Sequence, residues 1–313
     1  MHMADALISP AVGLSMGAVS ALAIGLSVAK VKKDELSEKK IPIMGVAGAM
    51  VFAGQMINFT IPATGSSGHI GGGILLAGLL GGAPAFLSLT AVLVIQCLFF
   101  ADGGLLALGC NIFNMGAVPC LIVYPLLFKT IINGGAGYKR LSFASIVSVV
   151  AGLLLGAFGV VLETLTSGIT ELPFGLFAAL MLSIHLVIGI VEGIITATAL
   201  CFVYKMRPEI IDALPSVENP DGVSIKKVLA TLVILTIITA GALSMLSSKN
   251  PDGLEWALGK VTGGVYGSET YPENAAETSV AGLVGAAGTF VLAGSAGLII
   301  TKIKKRKRTK TNV

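Results

Sequence analysis

The sequence predicts an all-α, polytopic membrane protein, with a seven-helix body, a two-helix tail and its N-terminus outside. Three observations carry that prediction. The 313 residues are 54% hydrophobic and only 12% charged, about half the charged share of a soluble domain and too little to cover a water-facing surface. The mean hydropathy is +0.90. Apolar residues gather into blocks at 11–29, 43–59, 70–86, 87–100, 115–132, 141–162, 174–203, 228–246 and 280–301, charged only at Lys129 and Glu192, most of them near the ~17–25 residues a helix needs to cross a bilayer. Basic residues, finally, fall into alternate connections.

That alternation sets the orientation. With the N-terminus outside, the inner connections hold Lys30 to Lys40, Lys129 to Arg140, Lys205 to Lys227 and Lys302 to Lys310. Of the 21 lysines and arginines, only Lys249 and Lys260 then lie outside, as the positive-inside rule requires. The run after Lys302 follows an apolar block directly, so it faces anionic lipid headgroups and is not a nucleic-acid patch. The chain is expected to cross a cell membrane several times.

The first block is preceded by Met1 to Pro10, which carries Asp5 and no basic residue. A secretory signal starts basic, so the block is expected to be a retained anchor. The third and fourth blocks are split only by Gly81-Gly82-Ala83-Pro84 and form a tight pair or one broken helix. The 40 glycines suit close helix approach in lipid. Residues 206–225, with Pro208, Pro215 and Pro220, read as a cytoplasmic linker between a body at 1–205 and a tail at 226–313. Cys97, Cys110, Cys120 and Cys201 show neither CxxC nor zinc spacing and read as small core residues.

Three histidines are present, and two fall on the outer side. His2 beside Met1 hinders removal of the initiator methionine, which leaves an α-amine on residue 1. That amine, the His2 amide nitrogen and the His2 imidazole can chelate one ion through five- and six-membered rings. His69, in Thr64-Gly65-Ser66-Ser67-Gly68-His69, would supply a fourth nitrogen. Planar nitrogen sites suit Ni(II) or Cu(II), and imidazole also binds zinc. On spacing alone, a solvated terminal histidine and a helix-capping one explain the same residues. Asp102, Asn111 and Asn114 lie in the outer connection between blocks four and five, suited either to orienting imidazoles or to forming turns. His185 and Glu192 are two turns apart on one face of the seventh block. They read as a buried intramembrane pair or as a transit point for cargo.

Catalytic patterns are missing. The glycines around His69 lack the Lys-Ser/Thr ending of a phosphate loop, and there is no HExxH or nucleophile elbow. The chain is expected to be no enzyme and to bind no ATP.

The opening Met1-His2-Met3-Ala4-Asp5-Ala6-Leu7-Ile8-Ser9-Pro10, with Ser67-Gly68-His69, Phe100-Ala101-Asp102-Gly103-Gly104-Leu105 and Asn111-Ile112-Phe113-Asn114-Met115-Gly116, resembles the CbiM/NikM family. These are capture components of energy-coupling factor (ECF) transporters for cobalt and nickel. The resemblance runs to about residue 205. Asn250-Pro251-Asp252-Gly253-Leu254-Glu255 looks like the two-span partner NikN, fused here to the same chain. The resemblance implies that Met1, His2 and His69 bind Ni2+ or Co2+ as transported substrate. It also implies a transmembrane coupling subunit (CbiQ/NikQ-like) and two ATPases (CbiO/NikO-like) as partners. The tail is expected to assist loading without forming the site. Gly45, Ala49 and Ala53, one small-residue stripe on the second block, are expected to dock the coupling subunit or else to pack internally. A stand-alone metal permease or channel would need a chain of intramembrane charges, and only His185 and Glu192 qualify.

Overall fold

The computed structural model describes residues 1–33, 40–135, 137–212, 214, 224–264 and 275–311. The chain opens with a buried segment and a short 3-10 turn (Asp5–Leu7), then α1 (Pro10–Lys33) and α2 (Lys40–Gln55). A small antiparallel hairpin follows, β1 (Phe59–Ile61) on β2 (Ser66–Gly68), with Thr60 opposite Ser67. Next come α3 (Gly73–Leu80), α4 (Gly82–Phe100), α5 (Leu108–Ile132), α6 (Tyr138–Ser167) and α7 (Phe174–Met206). The tail comprises α8 (Ile225–Gly241), α9 (Gly253–Thr262) and α10 (Ala275–Thr311). Six of the described helices (α1, α4, α5, α6, α7 and residues 277–302 of α10) are long and apolar enough to cross a membrane. The protein is a helical, multi-pass membrane protein.

The third apolar block departs from a spanning helix. Eight residues of α3 reach only about 12 Å, well short of the ~30 Å hydrocarbon core. Before it, Ser66–Gly68 is a buried strand and the chain from His69 to Gly72 is non-helical. Non-helical backbone at membrane depth survives only where protein satisfies its polar groups. Here the Gly71 and Gly72 amides donate to the two Glu192 carboxylate oxygens at 2.7 and 2.8 Å, and Gln55 Nε2 donates to the Gly71 carbonyl at 2.8 Å. Gly72 turns the chain into α3 with φ +75°, and a Cβ there would lie 2.5 Å from Val51. Gly81 (φ +89°) then separates α3 from α4; the expected tight pair is thus a half-helix followed by a full one.

Helix packing follows the small residues. On α7, a Cβ at Gly193 would stand 2.9 Å from the Ile146 Cα of α6, so this glycine lets the two backbones close up. In α5, residues Ile112–Phe128 form π-type turns around Pro119 and Pro125; neither proline can donate to a preceding carbonyl. All four cysteines are free thiols.

The stripe on α2 faces inward. Ala49 and Ala53 are buried, and a Cβ on Gly45 would meet Phe290 of α10 at 3.1 Å. The chain's own tail helix covers the face expected to dock a partner, because apolar α10 needs such a groove to pack closely. The linker is also partly built into the body. Pro208–Ile210 forms a 3-10 turn, Ile211 is buried, and the Asp212 amide donates to the Gly78 carbonyl at 2.9 Å. The Asp212 carboxylate receives Lys40 Nζ (2.6 Å), Lys129 Nζ (3.0 Å) and the Tyr124 hydroxyl (3.0 Å). These residues cluster at one end of the bundle, while the N-terminus, hairpin and α9 cluster at the other.

Candidate metal-capture site

The N-terminal segment is held in place by its backbone. Met3 is fully buried, its amide donates to Asn111 Oδ1 at 2.8 Å, and its carbonyl accepts from Asn111 Nδ2 (3.2 Å) and the Gly104 amide (2.9 Å). Asp5 accepts from the Ala107 amide at 3.0 Å. Asn111 therefore grips Met3. Gly103 (φ +87°) passes so close that a Cβ would lie 2.7 Å from the Asn111 amide nitrogen. Asn114 is directed elsewhere, donating to Glu163 at 2.6 Å.

This anchoring brings the three expected donors together. The His2 and His69 rings stack with centroids 5.1 Å apart and planes 20° from parallel. Met1 and His69 line one small cavity. The His69 Nδ1 lies 3.0 Å from the Ile70 carbonyl; a carbonyl only accepts, so Nδ1 carries the proton and Nε2 the lone pair. Burial first, then the cationic amine and His2, holds His69 well below the usual imidazole range. A neutral ring is what metal ligation requires.

Two of the three N-terminal nitrogens expected to chelate, the Met1 amine and the His2 imidazole, have a carboxylate partner. His2 Nδ1 is 3.0 Å from Asp102 Oδ1, and the Met1 amine is 2.5 Å from Asp252 Oδ2. For Asp102, burial alone would raise the pKa; the charge and hydrogen bond of His2 outweigh it and bring the net value down. Asp252 behaves likewise, with the amine outweighing burial. Nδ1 is the ring nitrogen that closes a six-membered chelate, so closing one means exchanging Asp102 for the ion. Stacked rings must also turn before their lone pairs converge on one point. Among the described residues no three His, Cys, Asp or Glu side chains stand together as a metal cluster.

Asp252 was not singled out as a site residue from the sequence, although its Pro-Asp-Gly-Leu-Glu motif was. The motif makes a capping box: Asp252 accepts from the Leu254 and Glu255 amides while Glu255 accepts from the Asp252 amide. That cap starts α9 and points the second carboxylate oxygen at Met1. The tail loop is stitched to the hairpin, with Ser67 donating to the Pro251 and Asn250 carbonyls (2.8 and 2.7 Å) and Trp256 Nε1 to the Thr64 carbonyl (2.9 Å). Much of the stitching is to main chain, which sequence does not display.

His185 and Glu192 share a buried face of α7 but have different partners. His185 Nδ1 contacts the Met181 carbonyl at 2.8 Å, whereas Glu192 holds the backbone two and three residues beyond His69. The expected pair is replaced by two separate roles, because the Gly71 and Gly72 amides need an acceptor at that depth.

A helical multi-pass bundle whose N-terminus, two imidazoles and two carboxylates meet at one end defines a membrane protein equipped to handle transition metals. Residues 2–210 match the family described as the cobalt uptake substrate-specific transmembrane region, CbiM, and residues 226–272 match the PDGLE domain. The chain belongs to the CbiM family and carries a PDGLE domain behind it. Among its relatives is a protein of Archaeoglobus fulgidus described as a fused nickel transport protein, NikMN, 29% identical over 96% of this chain and 95% of that one. A cobalt transport protein, CbiM, of Sorangium cellulosum is 32% identical over 58% of this chain and 81% of its own length. A solved structure of a truncated transition metal transporter superposes with a TM-score of 0.57 at 30% identity, covering 66% of this chain and 99% of that one.

Proposed function

We propose that the chain is the capture subunit of an importer for nickel or cobalt, energised by separate ATPases through a coupling subunit in the ECF manner. The observation that carries this reading is that Met1 and His69 line one small cavity while the His2 ring stacks on that of His69. Met1, His2 and His69 are its metal donors, residues 1–205 its body, and the PDGLE tail its cover. The odd number of passes, with the N-terminus outside, rests on the alternation of basic residues. The chain performs no catalysis and binds no ATP.

Equilibrium dialysis of purified protein against Ni2+ and Co2+ tests the site. Adding residues before Met1, or changing His2 or His69 to Ala, should each lower affinity by at least 100-fold, while helical content stays unchanged. Retained binding by the N-terminally extended chain would refute the amine as a ligand. Uptake by cells with and without the partner ATPases tests energisation; equal uptake in both would favour the stand-alone permease.

A further inference from the structure

His185 is the buried side chain to which capture gives no task. It is 1% exposed, and its Nδ1 stands 2.8 Å from the Met181 carbonyl. Since the carbonyl only accepts, Nδ1 is protonated and Nε2 bears the lone pair. That Nε2 is buried and has no hydrogen-bond partner, a costly arrangement that calls for an explanation. An imidazole tied through Nδ1–H to a carbonyl, with Nε2 presented to a cavity, is the arrangement by which proteins aim a histidine at a metal.

The ring faces the capture site from below. His185 lines the same small cavity as Met1, His69 and Asp252. The tail closes this cavity at Gly253, where a Cβ would lie 3.0 Å from His185 Cε1. A second small cavity shares Met1, Gly71, Met115 and Leu153 with the first and is also lined by Asn114 and Glu192, Glu192 standing two turns further along α7 than His185.

We propose that His185 Nε2 is a second metal ligand beneath the capture site, which takes the ion from the planar nitrogen chelate as it starts inward. This rests on the capture reading above. A neutral imidazole suits Ni2+ and Co2+, and the Asp252 carboxylate on the same cavity offers an oxygen. So few protein donors hold an ion more weakly than a four-nitrogen chelate, which is what a stop in transit needs. The ion moves as a dication with no change of oxidation state, and the Met1 amine and His2 amide regain their protons from water.

The test uses the full chain, with Ni2+ and Co2+ themselves as probes. His185→Ala should keep the stoichiometry and, within threefold, the affinity of the first Ni2+, together with its square-planar absorption. Wild type titrated with Co2+ beyond one equivalent should show a second, weaker site with a single-imidazole signature in pulsed EPR, and His185→Ala should lack it. In cells carrying the partner subunits, uptake by His185→Ala should fall at least tenfold. His185→Phe, which fills the cavity with an apolar ring, should behave like His185→Ala and guards against an effect of the void alone. An unchanged second Co2+ site with unchanged uptake would overturn the proposal. Loss of the first Ni2+ site in both variants would overturn it too, by making His185 part of capture or of the fold. Failure of the capture reading appears separately, as Ni2+ binding that survives His2→Ala.

Discussion

Replacing Asp252 by Asn separates the ion pair at the N-terminus from the helix cap that the same side chain makes. Oδ1 accepts from the Leu254 and Glu255 amides at 2.8 and 2.9 Å, while Oδ2 meets the Met1 amine at 2.5 Å. Asn caps helices about as well as Asp, so α9 keeps its start. Two unit charges at that separation attract by roughly 6–7 kcal/mol at an effective dielectric of ~20, before desolvation is subtracted. Breaking one side of a buried pair costs about 3–5 kcal/mol. The one Asn oxygen stays with the cap and its NH2, a donor, faces the amine, so nothing is restored and tail docking should weaken by about 3–5 kcal/mol. Solvent screens little here, because the side chains are 5% and 11% exposed. Trp256, the only tryptophan in the chain, donates to Thr64 across the docking surface, so its emission during urea titration reads the undocking. Asp252→Ala should lose about 1 kcal/mol more, the contribution of the cap. A shift in Asp252→Asn below about 0.5 kcal/mol, ordinary for a surface substitution, would refute the ion pair as the tail's anchor.

Three further outcomes follow from the same contacts. Glu192→Gln leaves one acceptor for two buried amides, so the loop carrying His69 should loosen and Ni2+ affinity drop about 10–100-fold, read by dialysis with thermal stability as control. Asp212→Asn should free residues 206–212 for proteolysis at neutral pH. Burial would raise the Asp212 pKa, but Lys40 and Lys129 outweigh it and hold it low, so in the parent chain the clamp persists above the usual carboxylate range and fails as pH falls through the lowered value. Gly45→Leu should push Phe290 and α10 off α2 and destabilise the chain even without partners, measured by thermal unfolding in detergent; unchanged stability would return the stripe to an external docking role.

The sequence displayed what depends on composition and periodicity. Each apolar block contains a helix, and the residues assigned to opposite sides by the basic clusters meet in separate groups: Lys40 and Lys129 with Asp212, Met1 with Asp252 and His2 with Asp102. His2 and His69 were legible because histidine is scarce here and their surroundings are distinctive. What escaped depends on length and partners. The third block was apolar enough to span, but Gly71 and Gly72 stay outside the helix, and Glu192 with Gln55 at the right depth makes that tolerable. Glu192 looked like half of a charged pair because its true partners are backbone amides. The Gly45 stripe showed that a helix would pack there but not which one, since small residues carry no address.

On the proposed capture reading, the described geometry makes metal binding an exchange of partners. The Met1 amine is held by Asp252, His2 Nδ1 by Asp102 and His69 Nδ1 by the Ile70 carbonyl. An arriving ion must outweigh two ion pairs and unstack two rings. A hard cation such as Mg2+ prefers oxygen and holds its water tightly, so it gains least from nitrogens and would remain with the carboxylates. Ions that gain most from a planar set of nitrogens, Ni2+ foremost among divalent metals apart from Cu2+, can drive the exchange. Selectivity then lies as much in Asp102 and Asp252 as in the nitrogens. Because Asp252 belongs to the tail, fusing the PDGLE segment to the body keeps that competing carboxylate at the site in every copy of the protein.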